Sequence, residues 1–215
     1  LYRNSIAQIN MQAASETHIG DKTVFSASVT GAGPLNSGDA KSAENITLFI
    51  SEPSRTETLS EPTHQTTAIT DASGNLNYIF RESGWYTVAM FNVTEDDVSS
   101  VTVYDETTFG EYYSLYVGDY ALIHVEDVAD TDALIRQYRS ENLSKAKAYF
   151  DQFYDYDFES GYYTSTFKTQ YEMLKSHQQS ATTFKELMDS FDADFEALQA
   201  AGAKVDAKDF LSIAQ

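Results

Sequence analysis

The stretch Thr70-Asp71-Ala72-Ser73-Gly74-Asn75-Leu76-Asn77-Tyr78-Ile79-Phe80-Arg81-Glu82-Ser83-Gly84-Trp85-Tyr86-Thr87-Val88 decides the reading of this chain. Asp71 to Gly74 and Glu82 to Gly84 have turn composition, and glycine supplies the backbone freedom that tight turns need. Between them Leu76, Tyr78 and Phe80 alternate with polar residues, so they share one face of a strand at period two. A second strand opens at Trp85, and its period-two neighbourhood predicts that the indole faces a core.

The same pattern extends on both sides. Residues 6–11, 23–29, 46–50, 66–70, 100–104 and 120–125 are rich in Thr, Val, Ile, Ser and Tyr and read as strands. Gly31 to Gly38 is a loop by composition. Seven or eight short strands at this spacing predict an antiparallel β-sandwich over residues 1–127.

The opening stretch also resembles bacterial immunoglobulin-like (Ig-like) repeats of surface and S-layer-associated proteins. The hairpin of such repeats has the pattern, roughly, T-D-x-x-G, alternating apolar residues, and then G-x-Y-x-V. Ile19-Gly20-Asp21-Lys22-Thr23-Val24 is similar to the segment leading into the second strand of such repeats. The resemblance covers residues 5–127 and implies an Ig-like sandwich in an extracellular or cell-surface protein of a bacterium, Gram-positive by expectation. It implies little about the ligand, because one fold carries many functions. Residues 94–118 depart from the repeat pattern and are expected to form an extra hairpin or a functional loop.

From Val128 the period changes to that of helices. Thr131–Arg139 and Leu143–Phe153 have helical spacing, with Asp130 or Thr131 as the cap and a break near Ser140. Residues 165–178 form a shorter helix, with Phe167, Tyr171 and Leu174 on one side. Phe184, Leu187, Met188, Phe191, Phe195 and Leu198 line a further helix that starts near Thr182 and is expected to end at Gly202. A separate helical turn follows over 206–214. The fold class is therefore α+β: an Ig-like antiparallel sandwich over 1–127, then a small helical bundle or helical extension over 128–215.

Composition limits the partners. The formal charge is −19, with 5 basic against 18 acidic residues up to Asp127 and 9 against 15 after it. Both segments repel polyanions, which argues against nucleic acid and leaves a protein or neutral glycan as partner. There is no cysteine, so disulfides, thiol nucleophiles and Cys-ligated metals are excluded. That absence agrees with an exported protein. No apolar run reaches the roughly 18 residues of a spanning helix, so no membrane insertion is expected. The chain opens on Leu1 without a signal region, and is expected to be an internal piece of a longer protein.

No motif points to catalysis or to a cofactor. His18, His64, His124 and His177 are scattered, and no serine elbow, P-loop or dinucleotide fingerprint occurs. Two acidic clusters have the ligand type for calcium: Glu95, Asp96, Asp97 with Asp105, and Asp151, Asp155, Asp157 with Glu159. The second fails as an EF-hand, because Ser160 stands where the loop glycine belongs. No metal is assigned.

The tyrosines are more informative, since 10 of 15 fall within residues 104–120 and 149–163. A phenol ring offers large apolar area with a polar tip, which serves packing at a domain junction or contact with protein and sugar. The ligand-binding candidates are Tyr112, Tyr113, Tyr116, Tyr154 and Tyr156. The function expected is that of a non-catalytic structural or adhesive module. The alternative is a carbohydrate-binding or accessory domain of a secreted glycan-active enzyme.

Overall fold

A computed structural model describes residues 6–30, 41–91, 115–117, 119–153 and 162–213. The chain divides into two compact units, Leu1–Asp127 and Val128–Gln215. The first holds strands and the second helices, an α+β chain.

Alternation of apolar and polar residues builds the first unit. In β3 (Lys22–Thr30) the buried Thr23, Phe25 and Ala27 alternate with more exposed neighbours. This strand is the hub of the first sheet. It pairs antiparallel with β1 (Ile6–Ala13), β4 (Lys41–Ser42) and β7 (Asn75–Ile79), while β9 (Leu115–Val117) lies parallel to the start of β1. The second sheet has the order β2 (Glu16–His18), β10 (Asp119–Glu126), β8 (Gly84–Phe91), β5 (Thr47–Ile50), β6 (His64–Ile69). The expected strand over 100–104 lies outside the described residues. β2, β4 and β9 have two or three residues each, too few for a periodic signal.

One expectation needs correction. The strands of the opening stretch, β7 and β8, are not a hairpin, because β7 belongs to the first sheet and β8 to the second, and Asp71–Gly74 likewise joins β6 of the second sheet to β7 of the first. The segment is an arch between sheets. The Asp71 carboxylate accepts the backbone N–H groups of Ser73 and Asn75 at 2.9 and 3.0 Å, and Gly74 takes φ of +78°. A Cβ on Gly74 would lie 2.4 Å from the Ala27 carbonyl oxygen, and the Ala27 N–H donates to Gly74 O at 2.7 Å. Docking against β3, rather than strand pairing, thus sets this turn.

Phe80 follows β7 and joins the two sheets. Its ring centre lies 6.4 Å from Phe25 on β3 and 4.9 Å from each of Tyr78 and Tyr86, the latter on β8. Ile9, Leu48, Val88, Met90 and Ile123 are fully buried in the same unit.

The Tyr86 hydroxyl donates to Glu82 O at 2.7 Å. Burial, then the nearby Glu82, Tyr78 and Glu52, hold this phenol well above the usual tyrosine range. Above about pH 10 the unfolded chain releases this proton while the folded chain keeps it. Stability therefore falls with rising pH, by about 1.4 kcal/mol per unit for one proton. Tyr86→Phe should remove that share of the alkaline slope and cost about 1 kcal/mol at neutral pH through the lost hydrogen bond. Urea melts of both proteins between pH 8 and 11 check this; parallel slopes would contradict it.

The second unit consists of α1 (Thr131–Asp151), α2 (Tyr162–Ser180) and α3 (Phe184–Ile213). Asp130 caps α1 by accepting the Ala133 N–H at 2.9 Å. Before α3, Thr183 Oγ1 accepts the Glu186 N–H at 3.1 Å while the Glu186 carboxylate accepts the N–H groups of Thr182 and Thr183, a reciprocal cap. Those bonds, with one from the Thr182 hydroxyl, hold the Glu186 carboxyl below its usual range, the Thr182 N–H contributing most.

Ala146, Phe167, Leu174, Leu187 and Leu198 are fully buried, with Phe153, Phe184 and Phe191 nearly so. A polar network also ties the helices. Asn142 Nδ2 donates to Gln178 Oε1 at 3.0 Å, Gln178 Nε2 donates to Leu187 O at 3.0 Å, and Arg139 donates to the carbonyls of Gln178 and Ala181.

Two helical expectations are overturned here. α1 does not break at Ser140, which is exposed, with Arg139 and Asn142 anchored to α2 on either side of it. Gly202 does not end α3, which continues to Ile213 and takes in the helical turn expected as a separate piece. A Cβ at Gly202 would lie 2.3 Å from the Tyr149 hydroxyl and 3.0 Å from the Phe153 ring. Glycine is there for close approach of α1.

Candidate functional site

Most of the tyrosines singled out in the sequence lie outside the described residues: Tyr112, Tyr113, Tyr154 and Tyr156. Tyr116 stands in β9, where its backbone is opposite Ala7 of β1. The acidic cluster at Glu95, Asp96, Asp97 and Asp105 also lies outside them, as do Asp155, Asp157 and Glu159. Asp151 is described and pairs with Lys147. Among the described residues no group of three or more His, Asp and Glu side chains is arranged to hold a metal.

Tyr149 packs inside the helical unit. Its ring lies 5.4 Å from Phe153 and 5.8 Å from Phe195, and its hydroxyl donates to Gln199 O at 3.2 Å. Tyr120, on β10, is 63% exposed. Trp85 departs from expectation: it is half-buried rather than core, and stacks on His124 with ring centres 4.2 Å apart and planes within 11°. The reason is register. Tyr86 lies opposite Ile123 and both point into the core, so their neighbours Trp85 and His124 point to the other face of the sheet. Beside them Glu126 faces His18 at 3.3 Å and His124 at 3.6 Å, joining β2 to β10, the last strand of the unit.

That junction holds the parallel strand pairs, every other described pair of the first unit being antiparallel. β1 pairs with β9 in parallel from Ile6↔Leu115 to Gln8↔Val117, and β2 pairs with β10 in parallel from Glu16↔His124 to Glu126↔His18. Between the two ladders the Asp119 carboxylate accepts the Met11 N–H at 3.0 Å. Bonds from His124 N to Ser15 O and from Ile19 N to Glu126 O, each 2.9 Å, extend the second ladder. The opening strands are thus fastened to the closing strands along their length.

The second unit carries a groove of about 420 Å³ between α1 and α2. Its α1 wall is Arg136, Arg139, Ser140, Leu143, Ser144 and Lys147, a stripe at helical spacing, and its α2 wall is Tyr171, Lys175 and Gln179. Four of the chain's 14 Lys and Arg residues line it and no carboxylate does. Leu143 and Tyr171, packed on the helical core, form the floor. Both stripes are legible in the sequence although the groove is not, and its residues are absent from the candidates the sequence offers. The pairing of α1 with α2, which brings the stripes together, is set by tertiary packing.

No family model matches the chain, no curated protein is similar to it in sequence, and no solved structure matches it.

Proposed function

We propose that the chain is a non-catalytic structural or adhesive module of a larger bacterial cell-surface protein, with an Ig-like β-sandwich as its first unit and a small helical bundle as its second. The parallel fastening of the opening strands to the closing strands carries this reading. Tension on the two ends of the first unit runs along paired parallel strands, so it loads their hydrogen bonds together rather than one after another. Such a joint suits a spacer under load.

Further support for the Ig-like reading comes from the corner at Tyr86. In Ig-like sandwiches a tyrosine near the start of the sixth strand donates its hydroxyl to the backbone a few residues upstream, and Tyr86 does this to Glu82. The order of the second sheet, with the last strand between β2 and β8, is also that of such domains.

Held at constant force by its two ends, the first unit should unfold far more slowly than its Thr17→Pro variant, in which proline removes a donor from the β2–β10 ladder. Equal lifetimes would remove the load-bearing reading.

The half-buried Trp85 on its His124 platform, with Tyr120 exposed on the same strand as His124, favours a second reading as a carbohydrate-binding accessory domain. Glycan-array binding that is lost on Trp85→Ala would select it over the spacer.

A further inference from the structure

The groove between α1 and α2 is a place of concentrated positive charge on a chain of net charge −19. We propose that it docks an acidic amphipathic helix from a partner protein. This inference concerns the second unit alone and stands apart from the load-bearing reading of the first.

Shape and chemistry both select that occupant. From Arg136 to Lys147 the α1 wall runs three turns, about 16 Å, which is the length of a short helix. Leu143 and Tyr171 on the floor suit apolar residues at helical spacing, and the cations on the walls suit carboxylates beside them.

The cations differ in availability. The Arg136 guanidinium is exposed and has no ion pair or hydrogen bond among the described residues. Lys147 pairs with Asp151, and Lys175 with Glu172 at 2.7 Å while lying 4.6 Å from the Tyr171 ring centre. These are intrahelical surface pairs, which contribute little and exchange readily for an incoming carboxylate. Arg139 is committed through two nitrogens to the carbonyls of Gln178 and Ala181, so it shapes the wall. Three available cations suffice for a peptide but not for a polyanion, which the rest of the chain repels.

The test is fluorescence anisotropy with the whole chain and a labelled helical peptide of Glu with Leu at every third or fourth position. Two control peptides carry Lys in place of Glu, or Ser in place of Leu. The Glu/Leu peptide should bind more weakly as salt rises. It should lose at least about tenfold in affinity, 1.4 kcal/mol, on combining Arg136→Glu with Lys147→Glu. The milder Arg136→Gln with Lys147→Gln should show a smaller loss in the same direction, with helical ellipticity unchanged in both variants. Equal binding of the Lys peptide, equal binding of the Ser peptide, or unchanged affinity in the Glu variant would each overturn the proposal. So would self-association of the chain in sedimentation that the same double variant abolishes, since the occupant would then be a second copy.

Discussion

Phe80→Ala is expected to lower the stability of the first unit by about 3–5 kcal/mol, the range for an aromatic removed from a packed core. The ring is 1% exposed and touches Phe25, Tyr78 and Tyr86, so its loss opens a cavity lined by both sheets. Those neighbours cannot close the gap without moving β3 against β8. Trp85 is the chain's single tryptophan and sits on β8, so urea unfolding followed by its fluorescence reports this unit directly. Val24→Ala, at a 53% exposed position on β3, should shift the same curve far less. A loss below about 1 kcal/mol for Phe80→Ala would mean that the sheets do not share this core.

The second large effect belongs to the helices. Phe167→Ala should cost the second unit about 3–5 kcal/mol, because the ring is fully buried among those of Tyr149, Phe150 and Phe153 at 6.2, 5.1 and 4.7 Å. Loss of far-UV helical ellipticity with denaturant reads this unit. Met173→Ala, at an exposed position on α2, should change stability by no more than about 0.5 kcal/mol. Similar midpoints for the two variants would contradict the placement of Phe167 at the centre of the helical core.

Several strands and helices were legible because their apolar residues repeat with the right period. β3, β7 with the residue that follows it, and α3 show this plainly through Phe25 and Ala27, Leu76 and Phe80, and Leu187, Phe191 and Leu198. Periodicity says which residues share a face, but not what that face meets. For that reason β7 and β8 read as a hairpin and lie in different sheets, and Trp85 reads as core although the inward register belongs to Tyr86. Gly202 has the composition of a helix end, yet the space it leaves is filled by Tyr149 and Phe153 from another helix. The groove between α1 and α2 was invisible for the same reason, since Arg136, Lys147 and Lys175 come together only through tertiary packing. The tyrosine candidates rested on composition, and of their positions the structure adds only the strand that carries Tyr116.

The parallel fastening of the first unit makes the sharpest demand on experiment. Because the chain has no cysteine, a pair introduced by substitution gives unique handles for pulling. Cysteines replacing Ile6 and Asp127 place force along the paired strands, from the start of β1 to just beyond the end of β10. Cysteines replacing Asp21 and Asp127 lie beside the same end of the β2–β10 ladder, where His18 faces Glu126, and peel the strands apart bond by bond. A load-bearing joint predicts a markedly higher unfolding force for the first pair than for the second. Equal forces in the two directions would contradict it.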